Sequence, residues 1–197
     1  MLAAAILSAG ESRRMGTPKA LLPYRDSTFL QHLIEVTRHP RVSLTKIVLG
    51  AGAQVIRDTL HLDEASVVIN DEWEKGQLSS IQAAVRSLAN AGTEGMILCP
   101  VDHPLVSANL VARLIEQFDS TGKLVALPTY KGRRGHPLIF RASLYDELLE
   151  ASATVGARQV VWAHRDEVLE VATDEEGIIL NLNDPETLRK ALEGKSV

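Results

Sequence analysis

A chain of 197 residues, 45% hydrophobic and 23% charged, is long enough to bury one sizeable core and too short for two ordinary domains. Its net charge of -4 argues against a broad nucleic-acid surface, which needs basic patches over much of a face, but leaves room for a local cation cluster. The single cysteine, Cys99, allows no internal disulfide, and a cytoplasmic, reducing location is expected.

Met1 to Leu7 has the apolar look of a signal-peptide core, yet no positive segment precedes it and Arg13-Arg14 follow where small residues should continue. A buried first strand, Ala3 to Leu7, fits better. No apolar run approaches membrane length, so no membrane partner is expected. Thr28 with Gln31 three residues on makes a capping box ahead of Leu30, Leu33 and Ile34. Ile47 to Leu49 and Val67 to Ile69 are short apolar runs, expected as strands buried on both faces. Leu78, Ile81, Val85 and Leu88 form a helical stripe, and Met96 to Leu98 a further strand. Leu110, Val111, Leu114, Ile115 and Phe118 give the next stripe, followed by a strand at Leu124 to Leu127. Gly132 to Pro137 reads as a turn leading into Leu138-Ile139-Phe140. Asp184-Pro185 is an N-cap with proline at the first helical position, opening a last helix through Leu188 and Leu192. This alternation predicts one α/β domain over residues 1–197, three-layered and Rossmann-like, with a mostly parallel sheet. Its ligand chemistry is expected at the carboxyl ends of the strands.

The first strand runs into Leu7-Ser8-Ala9-Gly10-Glu11-Ser12-Arg13-Arg14-Met15-Gly16-Thr17-Pro18-Lys19. Gly10 and Gly16 let backbone approach a ligand, and Arg13, Arg14 and Lys19 set cations beside exposed N–H groups, as a triphosphate requires. The spacing is neither that of a Walker loop nor that of the dinucleotide fingerprint. On composition alone, a Gly-rich turn with a solvated basic flank remains open.

The stretch resembles the signature loop of nucleotidyltransferases with the nucleotide-diphospho-sugar transferase fold, in particular the enzymes that attach a nucleotide to molybdopterin, whose molybdenum cofactor cytidylyltransferase branch the other segments resemble. Four further blocks resemble that branch in order. These are Asn70 to Ser80 with Trp73, Gly76, Ser79 and Ser80; Pro100-Val101-Asp102-His103-Pro104; Gly132 to Pro137; and Gly156-Ala157-Arg158. Three positions depart from it: Thr154 stands where the branch usually has Asp, and Asn181 and Asn183 resemble the guanylyltransferase relatives instead. The resemblance implies one antiparallel strand near Gly135 to Phe140. It implies transfer of CMP from CTP to the terminal phosphate of molybdenum-molybdopterin, releasing pyrophosphate, with a molybdoenzyme apoprotein as candidate recipient.

Asp102, closing a buried strand, faces the crevice of a parallel sheet, where a carboxylate either holds Mg²⁺ or shapes the turn before Pro104. The resemblance implies Mg²⁺ on Asp102, with Asn183 as second ligand unless Asn183 only neighbours the cap Asp184. Arg14 and Lys19 are the candidates for neutralising charge at the α-phosphate, with Arg13 left solvated. Ser8, Ala9, Gly10 and Gly16 would cradle the nucleotide. Ser79 and Ser80 would contact base or ribose, though serines near a helix start also serve as N-caps. Trp73 is expected to pack at the rim. Arg133, Arg134 and His136 would face the pterin, unless they are an ordinary cationic hairpin tip. His103 invites the same caution. His32, His39, His61 and His164 show no metal-ligand spacing, and Cys99 is expected as an inert core thiol.

Ala9 replaces a glycine usual in guanylyltransferases of this type; its methyl would narrow the base site and favour CTP over GTP. Three alternatives stand beside this reading. They are the same chemistry with GTP or another phosphorylated acceptor, a nucleotide-binding regulator without turnover, and, more weakly, a nicotinamide oxidoreductase.

Overall fold

The computed structural model describes residues 1–193. Its central sheet has the order β10-β7-β9-β6-β1-β4-β5. These strands are β1 (Leu2–Ser8), β4 (Val42–Leu49), β5 (Val67–Ile69), β6 (Gly95–Pro100), β7 (Val125–Tyr130), β9 (Leu138–Arg141) and β10 (Val168–Ala172). The two-residue β8 (Arg133–Arg134) pairs antiparallel with β7, and β2 (Pro23–Tyr24) with β3 (Ser27–Thr28) forms a separate hairpin. β9 is antiparallel to both its neighbours while the other pairs along the path are parallel, as expected for the segment before Phe140.

Among the described residues, seven α-helices cover the two faces. They are α1 (Phe29–Val36), α2 (Ala53–Leu60), α3 (Gln77–Leu88), α4 (Ala108–Ser120), α5 (Tyr145–Glu150), α6 (Arg158–Ala163) and α7 (Pro185–Glu193). Side chains along a strand alternate between faces, so each central strand feeds two cores. Leu2 and Ile6 of β1, Ile47 and Leu49 of β4, and Ile97 and Cys99 of β6 pack with α1, α2 and α4. Ala3, Ala5, Val48, Met96 and Leu98 turn the other way, toward α3, α5 and α6. The result is the three-layer α/β architecture predicted. Among the described residues no helix is long and apolar enough to cross a membrane.

One strand differs from expectation. Val67–Ile69 is only half buried and Ile69 is 46% exposed, because β5 is the edge of the sheet and has a neighbour on one side alone. The parallel strands β1, β4, β5 and β6 all end at one rim. β9, running the other way, starts there. The Gly10 loop, Asn70, Asp102 and the His136 turn are therefore delivered to the same edge of the sheet.

Candidate active site

Ser8 ends β1, and in the loop that follows Ser12 and Gly16 take left-handed conformations (φ 56° and 67°), enclosing one 3₁₀ turn at Arg13–Met15. The loop closes on itself where the Lys19 backbone N–H donates to Ser12 Oγ at 3.2 Å. Gly16 needs its glycine for the backbone angle. Gly10 does not: a Cβ there would meet nothing within 4 Å, so its lack of a side chain matters only for what enters the crevice. Arg13 stands 80% exposed and pairs with Glu11. Arg14 is exposed and lines the crevice together with Glu11, Ser12, Lys19, Trp73, Glu74 and Asn183, a volume of about 590 Å³.

An adjoining recess of about 220 Å³ lies against the strand ends and shares Ser12, Lys19 and Trp73 with the first. Ser8, Ala9, Gly10, Gly76, Gln77, Ser80 and Asp102 line it. Between the two sits Lys19, whose side chain is only 13% exposed. Its ammonium lies 3.6 Å from Asp102 Oδ2 and donates to Asn183 Oδ1. Burial lowers the Lys19 pKa, with Asp102 acting in the opposite direction. Asp102 Oδ2 and Asn183 Oδ1 thus converge on one cation, Asn183 from 164 residues along the sequence from Lys19. Hard oxygen donors at such a point also suit a divalent cation, which needs only one or two protein ligands when phosphate and water complete its sphere. Among the described residues, no group of three or more His, Cys, Asp and Glu side chains is placed to bind a metal.

Asn183 reaches this point by packing rather than by local propensity. Leu182 is fully buried in the α1-side core, and its N–H donates to the Asp102 carbonyl at 2.8 Å. Upstream, Glu175 accepts from both Ser107 N (3.0 Å) and Ser107 Oγ (2.5 Å) at the start of α4. The Ile178 carbonyl accepts from His136 N at 3.0 Å. Asn181, by contrast, is exposed and outside the crevice lining.

The hairpin residues do not act as one group. Arg133 and Arg134 are exposed on β8, and Arg134 pairs with Glu170 of β10 at 2.6 Å. His136 turns inward, its ring 4.6 Å from that of His103. His103 in turn lies beside Asp102, its Nε2 3.9 Å from Oδ1. Burial holds His136 neutral, its pKa pushed down to about 3, with His103 adding to the effect; burial also lowers His103. Both Nδ1 atoms are buried without a hydrogen-bond partner among the described residues. Arg158 is exposed, donates to the Val155 carbonyl at 2.7 Å and lies over the Trp162 ring. Burial pushes the Cys99 thiol up to about 12.

Ser79 and Ser80 do not cap α3: its N-cap is Gly76, with no side-chain cap bond. Both are buried and both accept from Asn70 Nδ2, at 2.9 and 3.0 Å. Trp73 sits at the rim and packs on Gly50, where a Cβ would come within 2.6 Å of the Trp73 Cβ. Sequence reasoning passed over Ser12 and the hydrogen-bonding role of Asn70. The available signal for Asn70 was a lone amide directly after a buried apolar triplet, at a carboxyl strand end.

A nucleotidyltransferase-type α/β sheet with a cationic loop and an oxygen-lined cation point at its carboxyl rim defines the class. A family model described as the MobA-like NTP transferase domain matches residues 4–168, and the chain belongs to that family. It is 34% identical over 169 residues to nicotine blue oxidoreductase of Paenarthrobacter nicotinovorans, covering 80% of this chain and 81% of the relative. Molybdenum cofactor guanylyltransferase of Cereibacter sphaeroides is 29% identical over 195 residues, covering 94% and 93%. Among solved structures, Rv0371c of Mycobacterium tuberculosis superposes with a TM-score of 0.81 at 29% identity, covering 98% and 97%. A structure of Rv0371c in complex with manganese gives 0.78 at 27% identity, covering 100% and 99%.

Proposed function

We propose that the protein transfers a nucleoside monophosphate from an NTP to the terminal phosphate of molybdopterin, in the cytoplasm, with residues 1–197 acting as one domain. The observation that carries this reading is the convergence of Lys19, Asp102 and Asn183 at the mouth of a crevice lined by the Gly10 loop. An acceptor phosphate oxygen forms a bond to the α-phosphorus while the bond to the bridging oxygen breaks, and pyrophosphate leaves. The acceptor is already anionic, so no strong base is required. Lys19 and Arg14 neutralise charge on the phosphates, which is positioning and electrostatics rather than covalent catalysis. A divalent cation, Mg²⁺ or Mn²⁺, would be held by Asp102 and Asn183 and supply further charge neutralisation. Ser8, Ala9, Gly10 and Gly16 present backbone to the nucleotide and Ser80 a hydroxyl. His103 and His136 are assigned to the acceptor side, beside Asp102.

The donor base is where the sequence-based expectation shifts. Ala9 is 5% exposed and packs with the core beneath α3, so its methyl takes little from the crevice. Relatives that span this chain almost end to end are named molybdenum cofactor guanylyltransferases, which favours GTP over the CTP expected from Ala9. A second reading, oxidoreductase activity, is favoured by the relative at 34% identity. A pyrophosphate-release screen of the four NTPs with molybdopterin and Mg²⁺ separates these readings. Release with GTP supports the proposal, a CTP preference restores the cytidylyl assignment, and no release with any NTP overturns nucleotidyl transfer.

A further inference from the structure

The hydrogen bonds around Asn70 have a fixed direction. Asn70 follows β5, is 5% exposed, and its backbone N–H donates to the Leu49 carbonyl at 2.8 Å. Its Oδ1 accepts from the Glu72 backbone N–H at 3.1 Å. A backbone N–H only donates, so this bond fixes which way the amide faces. The NH₂ group must then point at the two serines, and its two hydrogens meet two acceptors, Ser79 Oγ and Ser80 Oγ.

The serines differ in what they have left. Ser79 spends its own proton on the Gly76 carbonyl, 2.8 Å away, and does not line the crevice. Ser80 lines the recess, and among the described residues no protein acceptor takes its hydroxyl proton. A hydroxyl already accepting from a fixed amide has its proton as the natural offer to a ligand.

We infer that Asn70 is a positioning residue that makes Ser80 a hydrogen-bond donor into the crevice, so that the nucleoside atom it meets is an acceptor. The group selected is a carbonyl oxygen, ring nitrogen or hydroxyl oxygen of the nucleotide. An amino group at that place is rejected, because donor would face donor and both would lose their partners. This inference rests on the crevice being the NTP site.

The test is a double-mutant cycle read in NTP affinity, by calorimetry of the full-length protein with Mg²⁺ and the best NTP, alongside steady-state turnover. Ser80→Ala is expected to weaken NTP binding by about 3- to 10-fold, the span of one net hydrogen bond. It should raise KM while kcat holds. Asn70→Asp keeps the shape and the Glu72 bond, but its carboxylate draws the Ser80 proton back and presents lone pairs to the ligand. It should weaken binding at least as much, and adding Ser80→Ala to it should cost nothing further. Asn70→Ala tests the same coupling without a buried carboxylate, should the first variant not fold. Equal losses from Ser80→Ala in both backgrounds, or no loss in either, overturn the inference while leaving nucleotide binding intact. A wild-type protein that binds no NTP overturns the site assignment itself.

Discussion

Replacing Asp102 with asparagine removes one negative charge from beside a largely buried ammonium and changes little else in shape. At 3.6 Å the Lys19–Asp102 pair is worth about 4–5 kcal/mol of Coulomb energy at an effective dielectric of about 20. Much of that is offset, because the lost carboxylate no longer has to be desolvated and because both side chains keep some exposure, 13% and 21%. Asn183 also still accepts from the ammonium. A net destabilisation of about 1–2 kcal/mol remains, which for a domain of this size lowers Tm by roughly 2–8 °C. The effect on turnover is larger, because the carboxylate is also assigned to the cation that neutralises the triphosphate. Loss of one such charge-stabilising group costs on the order of 10²–10³ in rate. Thermal unfolding followed by circular dichroism, together with pyrophosphate release under saturating Mg²⁺, measures both. A folded Asp102→Asn protein with near-normal turnover refutes the role given to Asp102.

Other perturbations probe separate parts of the site. Lys19→Ala should raise the NTP KM and lower kcat, whereas His136→Ala should act mainly on acceptor use; an effect of His136→Ala on the NTP KM alone contradicts the division of sides. Gly135→Ala would place a Cβ 2.5 Å from the Ile178 carbonyl, pushing away the segment that leads to Asn183. A stability loss of about 1–3 kcal/mol is expected with weakened Mg²⁺-dependent turnover, and normal Tm and activity would count against that segment's role. Asp184 caps α7 through Thr187 N at 2.8 Å, and that bond lowers its pKa. A lowered carboxyl pKa stabilises the fold above the unfolded value and loses that contribution as pH falls through the folded one. Asp184→Asn, which keeps a cap but cannot titrate, should therefore flatten the acid limb of a Tm–pH profile; an unchanged limb would assign acid sensitivity elsewhere.

What the sequence disclosed was local. The Thr28 capping box needs only four neighbouring residues, and both of its bonds are present, Gln31 N to Thr28 Oγ1 at 3.3 Å and Thr28 N to Gln31 Oε1 at 3.1 Å. The apolar stripes of α3 and α4 and the run in β1 carry their periodicity in themselves. Edge position does not: Val67–Ile69 is as apolar as a central strand, and only its missing neighbour leaves Ile69 exposed. α2 buries Ile56 alone, and β10 buries Val171 alone, so neither writes a stripe long enough to read. The loop residues were legible as a cationic cluster, but the inward turn of His136 and the pairing of Arg134 with Glu170 depend on strands distant in sequence. The serines near the start of α3 looked like caps because capping is local, whereas Asn70 claims them from across a turn.

The proposed function stands on one activity, the joining of a nucleotide to a phosphorylated pterin. Incubating the purified protein with molybdopterin, Mg²⁺ and each NTP, and identifying products by mass spectrometry, tests it most directly. A molybdopterin dinucleotide and one pyrophosphate for each NTP consumed are expected, and both are lost when Mg²⁺ is chelated. Absence of the dinucleotide with all four NTPs, or hydrolysis to nucleoside diphosphate without adduct, would contradict it.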